Sequence, residues 1–517
     1  MPALPRNAPV VVIGAGTMGA GIAHLAALHG HPVQLHDARF GAGDAAREAI
    51  REAFAKLVAR DRLTQADADA ALARITTVVT RPDACVAGLV VEAIVESVDA
   101  KRELFAGLEN IVSPACILAS NTSSLSITAL AAGLRHPQRV IGMHFFNPVP
   151  VMPLVEVVHG LATDLAVADT VFETARAWGK TPVHARSTPG FVVNRCARPF
   201  YGEALRLLHE RAATPASLDA ILRDAGGFRM GPFELMDLIG LDVNLAVTKN
   251  VWEGFFNDPR YAPSVIQAEL VAAGYLGRKS GRGFYVYGKD AAPPVADAEA
   301  ATGPPPQIAL HGDAGALAPL VARLASAGLE VFTCPADSRF GTGVLRLGGA
   351  KGHAGSATLA LTDGRTATAR AVATGVADCV LVDYALDLGQ CKRVAVARAD
   401  TCSAAGYALA VGALQACGIA VTRVDDAPGL VVLRTVAMLV NEAADALHQG
   451  VADVQSIDLA MRKGVNYPQG PFAWARQLGV GTVRDALAHI GEHYGDPRYR
   501  IAPLVARHAR TGTPLDG

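Results

Sequence analysis

The chain lacks an excess of charge of either sign: 47 Lys and Arg stand against 48 Asp and Glu, a net charge of −1. Nothing global therefore points to nucleic acid or to an anionic membrane. It also lacks close-set cysteines. Cys85, Cys116, Cys196, Cys334, Cys379, Cys391, Cys402 and Cys417 lie far apart with no C-x-x-C pair, a spacing that suits neither a disulfide framework nor a zinc site. Reduced, mostly buried thiols and no bound metal are the expectation. No uninterrupted apolar run approaches the roughly 18 residues of a membrane span. Val10–Ile13 follows Arg6, but it is too short for the apolar part of a signal peptide and runs straight into a glycine loop, so it reads as a first strand. With no targeting signal, a cytoplasmic location is expected.

What is present is apolar bulk. Apolar residues make up 51% of the 517 and charged ones 18%, so the chain can bury large cores and is not disordered. Its length exceeds a single core and calls for about two to four domains. The first part alternates short β-branched runs with helical stretches, the pattern of parallel strands joined by helical crossovers. Strands are expected at Pro32–His36, Gly88–Ala93, Ala115–Ser120, Arg139–Met143 and Leu154–Val158, besides Val10–Ile13. A helical insertion rich in Arg, Ala and Glu, Gly43–Ala73, separates the second from the third. From Thr188, where Pro189-Gly190 intervenes, segments of 3.6-residue period continue to about Gly277 and read as a helical domain. Ala291–Gln307 is dominated by Ala and Pro and is expected to act as a semi-rigid spacer.

Beyond the spacer the chain repeats itself. Ala427-Pro428-Gly429-Leu430-Val431-Val432-Leu433-Arg434 echoes Thr188-Pro189-Gly190-Phe191-Val192-Val193-Asn194-Arg195. At the same offset Glu203 returns as Glu442, Asp219 as Asp458, and Gly231-Pro232-Phe233 as Gly470-Pro471-Phe472; Asp258-Pro259-Arg260-Tyr261 returns one residue out of step as Asp496-Pro497-Arg498-Tyr499. One register held over several matches marks a duplication. Ile308–His311 reads as a strand ahead of Gly312-Asp313-Ala314-Gly315, so a shortened α/β segment precedes the second helical copy.

Three stretches carry chemistry. Gly14-Ala15-Gly16-Thr17-Met18-Gly19 follows a strand and opens a helix expected from Met18 to about Leu28, and Asp37 ends the next strand. Gly14 suits a tight turn, Gly16 lets backbone approach a pyrophosphate, and Gly19 lets helix and strand pack closely; the helix N-terminus then faces the phosphates. Asp37 can accept from two ribose hydroxyls and repels a 2′-phosphate, favouring NAD over NADP, although Arg39 nearby suits such a phosphate. A glycine-rich turn without a ligand is the alternative. In Met143–Val158, His144 ends a strand and three prolines impose an extended return path to Glu156. A carboxylate beside an imidazole fixes its tautomer and favours the protonated form, as a base receiving a hydroxyl proton requires. A purely structural histidine is equally compatible with these residues. Ser120-Asn121-Thr122-Ser123-Ser124 ends another strand; its hydroxyls and amide suit a substrate oxygen, with Ser124 open also to a helix N-cap role.

Together the strings Val12–Ala23, Asn121-Thr122-Ser123-Ser124, His144-Phe145-Phe146-Asn147-Pro148, Pro189–Arg195 and Gly231-Pro232-Phe233-Glu234-Leu235 resemble the signature of the 3-hydroxyacyl-CoA dehydrogenases, in that family's order and spacing across residues 10–285. The duplicated second part resembles the longer bacterial members, notably those of phenylacetate catabolism acting on 3-hydroxyadipyl-CoA and related thioesters. The resemblance implies an α/β protein: a Rossmann NAD-binding domain at 1–186, a helical domain at 187–288, a linker at 289–307, a degenerate Rossmann-like domain at 308–423 and a second helical copy at 424–517. It implies NAD as cofactor, bound by Gly14, Gly16, Thr17, Met18, Gly19 and Asp37, with Glu96 and Lys101 near the nicotinamide end and Asn121 and Asn147 at further pocket positions. His144 would be the base acting on an (S)-3-hydroxyacyl-CoA, Glu156 its orienting carboxylate, and Ser123 and Asn194 hydrogen-bond donors to the substrate oxygen. Lys56, in the helical insertion, is the candidate contact to a CoA phosphate.

The second part departs from that pattern. Ala314 and Leu317 stand where Gly16 and Gly19 would recur, no His-Phe-Phe-Asn-Pro string follows, and Leu433 replaces Asn194. One active site per chain is expected, with the second helical copy packed on the first as an internal pseudo-dimer; further homo-oligomerisation is open. Two other functions stay open at this point: a dehydrogenase of free 3-hydroxy acids, and a non-catalytic NAD-binding descendant. A carboxylate-ended acyl chain would call for a basic residue in the pocket, and Arg195, Arg198 and Arg229 are candidates by chemistry alone.

Overall fold

The computed structural model describes residues 1–78, 86–339, 341–348 and 356–516, so Cys85 lies outside the described residues. The chain divides into two compact units, Met1–Arg195 with Ala446–Val465, and Cys196–Asp445 with Asn466–Gly517. Among the described residues, no helix is long and apolar enough to cross a membrane, and none of the seven described cysteines is in a disulfide.

The first unit is built on an eight-stranded sheet: β1 (Val10–Ile13), β2 (Val33–His36), β3 (Ile75–Val78), β4 (Leu89–Glu92), β5 (Ile117–Ser120), β6 (Val140–Phe145), β7 (Leu154–His159) and β8 (Thr181–Arg186), in the order β3-β2-β1-β4-β5-β6-β7-β8. The expected strands are all present, within a few residues at their ends. Six crossing helices accompany them: α1 (Thr17–Leu28), α2 (Ala42–Val58), α3 (Gln65–Ala73), α4 (Val98–Glu109), α5 (Ile127–Ala131) and α6 (Leu165–Ala177). Strands β1, β4 and β5 are buried on both faces, which is why they read as apolar runs, interrupted only by Glu92 and Ser120 at their ends. Val10, Val12, Leu35, Val91, Met143 and Val155 form the core with Phe54 and Trp178.

The chain winds outward from β1 to β2 and β3, then returns to add β4 on the other flank of β1. This reversal opens a crevice beyond the carboxyl ends of β1 and β4, the place where open α/β sheets hold ligands.

The expectation of parallel strands throughout is corrected at one edge. β6 and β7 are antiparallel, with His144 opposite Glu156 in register, and β8 then runs parallel to β7. Residues 146–153 are too few for a helical crossover, which needs about a dozen, so the chain can only turn back on itself. Two strands were not expected. β3 is a short edge strand with little apolar signal, and β8 carries Pro182, tolerated because β8 is also an edge.

Ala446–Val465 belongs to this unit although it comes from the second helical copy. Helix Val454–Gly464 packs on β7 and β8, and Arg186 N donates to Val451 O at 2.8 Å. Gly464 sits where a Cβ would approach Leu154 Cδ2 to 2.6 Å and Val193 Cγ2 to 3.1 Å.

The second unit contains a seven-stranded mixed sheet, β9 (Ile308–His311), β10 (Val331–Cys334), β11 (Val344–Leu347), β12 (Ala357–Leu361), β13 (Cys379–Val382), β14 (Arg393–Arg398) and β15 (Ala420–Arg423), ordered β10-β9-β11-β12-β13-β14-β15. Its β12–β15 half repeats the parallel, antiparallel, parallel sequence of β5–β8. The other half does not, because β11 is antiparallel to both neighbours. After β9 the broken glycine loop gives only a short 3-10 turn, Gly315–Leu317, ahead of helix Ala318–Ser326.

The helical copies in this unit exchange equivalent buried tyrosine contacts: Tyr499 donates to Glu203 at 2.8 Å and Tyr261 to Glu442 at 2.6 Å. Arg434 and Arg260, which are not equivalent in the repeat, donate to the same two carboxylates at 2.7 and 3.3 Å. The duplicated turns share a rare backbone too: Phe191 and Leu430 both take the left-handed conformation, at φ +48° and +52°. The Ala/Pro linker is irregular, as expected, but it is not a spacer. Asp297 accepts from Ser217 Oγ, Glu299 N donates to Val421 O, and Thr302 N donates to Gln415, all at 2.8–2.9 Å, which straps the segment down.

Gly464→Val should lower the stability of the first unit by about 1–3 kcal/mol through overpacking against Leu154 and Val193. An unchanged urea midpoint would show that the Ala446–Val465 segment is not held as described.

Candidate active site

Each strand end beside the crevice contributes one polar group. After β1, Gly14 takes φ +104° and its N donates to His36 O at 2.7 Å; a Cβ there would lie 2.4 Å from Ala93 O. A Cβ on Gly19 would lie 1.7 Å from Gly14 O, so the first helical turn can close on the loop only with glycine. Gly16 differs: a Cβ would meet nothing within 4 Å. It is the N-cap of α1 with no capping side chain, so the first N–H groups of the helix have no intrahelical partner and no cap. Such a terminus is an anion site in its own right.

Asp37, past the end of β2, accepts from Ala15 N at 2.8 Å and from Arg39 through N, Nε and Nη2 at 2.9–3.1 Å. The Arg39 guanidinium holds its carboxyl well below the usual range. Arg39 therefore pairs with Asp37, while remaining largely exposed itself.

The ends of β4 and β5 form a buried polar knot that the motifs only partly announced. Lys101, on α4, is 1% exposed and pairs with Glu92 at 2.6 Å and Glu96 at 3.2 Å. Glu92, fully buried, also accepts from Ile94 N at 2.7 Å and Ser120 Oγ at 2.6 Å. Glu96 accepts from Thr122 Oγ1 at 2.6 Å, Ser123 N at 2.9 Å and Ser123 Oγ at 3.3 Å. Burial opposes its charge, but Lys101 and these donors prevail and keep its carboxyl below the ordinary value. Asn121 Oδ1 accepts from Phe145 N at 2.9 Å, tying β5 to β6. Glu92 was not anticipated, and the Thr122 hydroxyl, read among those suited to a substrate oxygen, donates to Glu96 instead. An acid closing the otherwise apolar strand Leu89–Glu92 was the available signal for Glu92.

His144 and Glu156 meet across the antiparallel pair, Nδ1 to Oε2 at 2.6 Å, both buried. An ionised carboxylate can only accept, so Nδ1 carries the proton and Nε2 is left as the acceptor. The second carboxylate oxygen is also engaged: Val192 N and Val193 N both donate to Oε1 at 3.0 Å. Phe146 and Phe191 flank the imidazole, with ring centroids 4.5 and 5.9 Å away. One turn on, Asn194 Nδ2 donates to Ser123 O at 3.3 Å. The Phe191–Asn194 turn thus links the histidine pair to the Ser123 loop. Helix α5 is capped by Ser126, whose Oγ accepts from Ala129 N at 3.2 Å, so the N-cap reading of Ser124 is corrected.

The other candidates are more scattered. Asn147 is exposed just past β6, and Lys56 is exposed in the last turn of α2. Arg195 is buried and donates to Gln449 Oε1 at 2.9 Å; Arg198 is buried in the second unit and donates to Thr248; Arg229 is exposed. Lys180, unanticipated, is buried at the junction of α6 and β8. Its Nζ donates to Val149 O and Met152 O at 2.5 and 2.9 Å, fastening the loop that returns from His144 to Glu156.

Profiles of the 3-hydroxyacyl-CoA dehydrogenase NAD-binding domain and C-terminal domain match residues 9–188 and, twice, residues 190–287 and 429–514. The chain belongs to the 3-hydroxyacyl-CoA dehydrogenase family. Residues 359–428 match the reduced Rossmann-fold domain of 3-hydroxybutyryl-CoA dehydrogenase. The chain is 42% identical over 500 residues to a 3-hydroxyadipyl-CoA dehydrogenase of Escherichia coli, covering 97% of each. A solved 3-hydroxybutyryl-CoA dehydrogenase from Escherichia coli matches at TM-score 0.87 with 40% identity, over 98% of this chain and 99% of that one. An (S)-3-hydroxybutyryl-CoA dehydrogenase from Ralstonia eutropha matches 54% of this chain and 99% of its own, at TM-score 0.53 and 42% identity.

As a member of this family the chain keeps one half of its site machinery in duplicate form and loses the other. Asp383, just after β13, accepts from Val431 N, Val432 N and Leu433 N at 2.7–3.1 Å, as Glu156 accepts from Val192 N and Val193 N. Topologically β13 matches β6, the strand that carries His144. A helix-clamping carboxylate thus arises from the strand that would have supplied the base, and no imidazole accompanies it.

Burial lowers Lys180 from its ordinary value of 10.5 to about 8. The unfolded chain then binds the extra proton between those values, so stability should rise with pH across that window. Urea midpoints from pH 7.5 to 10.5 should favour wild type over Lys180→Met increasingly, by up to about 3 kcal/mol. A difference independent of pH would mean Lys180 is not buried as an ammonium.

Proposed function

We propose that this chain oxidises (S)-3-hydroxyacyl-CoA thioesters to 3-oxoacyl-CoA with NAD, using a single site in its first unit. The observation that carries the reading is the His144–Glu156 pair, set in register on adjacent antiparallel strands and leaving Nε2 as acceptor. His144 Nε2 takes the proton of the 3-hydroxyl as the C3–H bond gives up its electron pair, and the C–O bond becomes a carbonyl. Glu156 balances the imidazolium so formed and keeps the ring from turning. Ser123 and Asn194, which touch one another, hydrogen-bond the substrate oxygen.

The residues present suit NAD. Gly16 is open above, the start of α1 offers free N–H groups, and Asp37 stands at the end of β2 for a ribose once the exposed Arg39 side chain rotates off it. Bound NAD supplies the hydride acceptor. Gly14, Thr17, Met18 and Gly19 shape the phosphate end of that site, and Glu96, Lys101, Asn121 and Asn147 its nicotinamide end. Lys56, exposed on α2, contacts a CoA phosphate.

The name of the Escherichia coli relative, matched over 97% of both chains, favours 3-hydroxyadipyl-CoA as substrate. We read the division of the chain as 1–186, 187–288, 289–307, 308–423 and 424–517, with the two helical copies forming an internal pseudo-dimer. The exchanged bonds of Tyr499 and Arg434 with Glu203, and of Tyr261 and Arg260 with Glu442, support that pairing.

With NAD, wild type should reduce the cofactor in the presence of both (S)-3-hydroxybutyryl-CoA and 3-hydroxyadipyl-CoA, followed by NADH absorbance. His144→Ala should lose roughly a hundredfold or more. Folded, NAD-binding protein that turns over neither thioester would overturn the reading.

A further inference from the structure

The second unit has a half-open cavity of about 330 Å³, at the small end of the range for organic ligands. One wall is a single face of helix Arg198–His209, along which Arg198, Gly202 and Arg206 follow at intervals of four residues and so line up. Thr248 and Ser264 face them, and Arg498, from the second helical copy, joins the lining.

Three observations set this cavity apart from a packing defect. First, Gly202 lies inside a helix, where glycine weakens the structure, yet a Cβ there would meet nothing within 4 Å. No neighbour demands the glycine; what it preserves is the room above it. Second, Arg498 is short of hydrogen-bond partners, although Asp496 and the buried Glu203 both favour its charge. Arg206 donates to Asp496 at 3.1 Å, and Arg498 reaches that same carboxylate only at 3.9 Å. Arg498 Nε is buried without a hydrogen-bond partner. Elsewhere in the lining, Arg260 pairs with Glu442 and Asp445, and Glu210 pairs with Arg434 and accepts from the Tyr494 hydroxyl. Third, neutral polar groups share the lining: the Ser264 hydroxyl, and Thr248, whose Oγ1 donates to Asn244 O and accepts from Arg198, both at 2.9 Å. Burial also lowers Arg498 from its ordinary value, against the nearby carboxylates Glu203 and Asp496.

We propose that this cavity binds a small organic or inorganic oxyanion, a carboxylate or phosphate group seated over Gly202 and held by Arg206 and Arg498. Guanidinium forks match such groups in two-point geometry, and five donors on each leave capacity beyond the existing bonds. The ligand bridges the first helical copy and Arg498 of the second, so its binding stabilises their association. The proposal does not rest on the dehydrogenase reading.

Calorimetric titration of the full chain with adipate, inorganic phosphate and pyrophosphate tests it. At least one probe should bind with one site per chain and raise the thermal midpoint. Gly202→Leu fills the cavity with a better helix former, and Arg498→Gln removes the under-paired cation; each should weaken that binding tenfold or more while Gly202→Leu keeps the apo thermal midpoint. Adipate binding alone assigns a carboxylate ligand, and phosphate or pyrophosphate binding alone assigns a phosphate; either supports the site. Absence of binding by all three at about ten millimolar, or equal binding by Gly202→Leu, overturns it.

Discussion

The candidate active site depends on one carboxylate with both oxygens committed. Glu156 Oε2 accepts from His144 Nδ1, and Oε1 accepts from Val192 N and Val193 N. The first bond fixes which imidazole nitrogen is free, and the second fixes where the following turn, with Asn194, comes to rest. Leaving either partner of such a buried group unmet costs about 1–3 kcal/mol, more when it is charged. The antiparallel register of β6 and β7, the short proline loop between them and the Lys180 bonds that fasten it all serve to bring this one side chain opposite His144. Helix Val454–Gly464, packed on β7 and β8, buttresses the same strands from the second copy.

The duplicated half shows what happens when that arrangement is altered. Its sheet keeps the β12–β15 pattern and Asp383 keeps the clamp on the next helix, so the structural function survives. After β9 the glycine loop is broken, and no His-Phe-Phe-Asn-Pro string recurs in that half. The two helical copies meet through the buried Arg434–Glu203 and Arg260–Glu442 pairs. Buried ion pairs of this sort contribute specificity of assembly more than net stability.

Much of this was legible in the sequence because local chemistry and global fold agree there. The glycine spacing, the strand ends at His144 and Ser120, and the repeat of Pro189-Gly190 in Pro428-Gly429 each carry a local conformational demand. What escaped was set by partners remote in sequence. The antiparallel turn of β7 follows from a loop length weighed against the sheet, not from the strands' own residues. The edge strands β3 and β8 owe their pairing to neighbours, and Pro182 argued against one of them. Glu92 and Lys180 look like ordinary surface charges until Lys101, Ser120 and the Val149–Met152 carbonyls surround them. The linker was misjudged for the same reason: its Asp297 and Thr302 anchors are found only when the strands and helices beneath them are in place.

The most direct measurement is the single-turnover rate of NADH formation by Glu156→Gln with a 3-hydroxyacyl-CoA. A glutamine amide accepts from Val192 and Val193 as the carboxylate does, but its NH2 faces Nδ1 and drives the ring proton to Nε2. The account predicts a fall of roughly a hundredfold or more in a protein that still folds and binds NAD. A rate within a few-fold of wild type would contradict it.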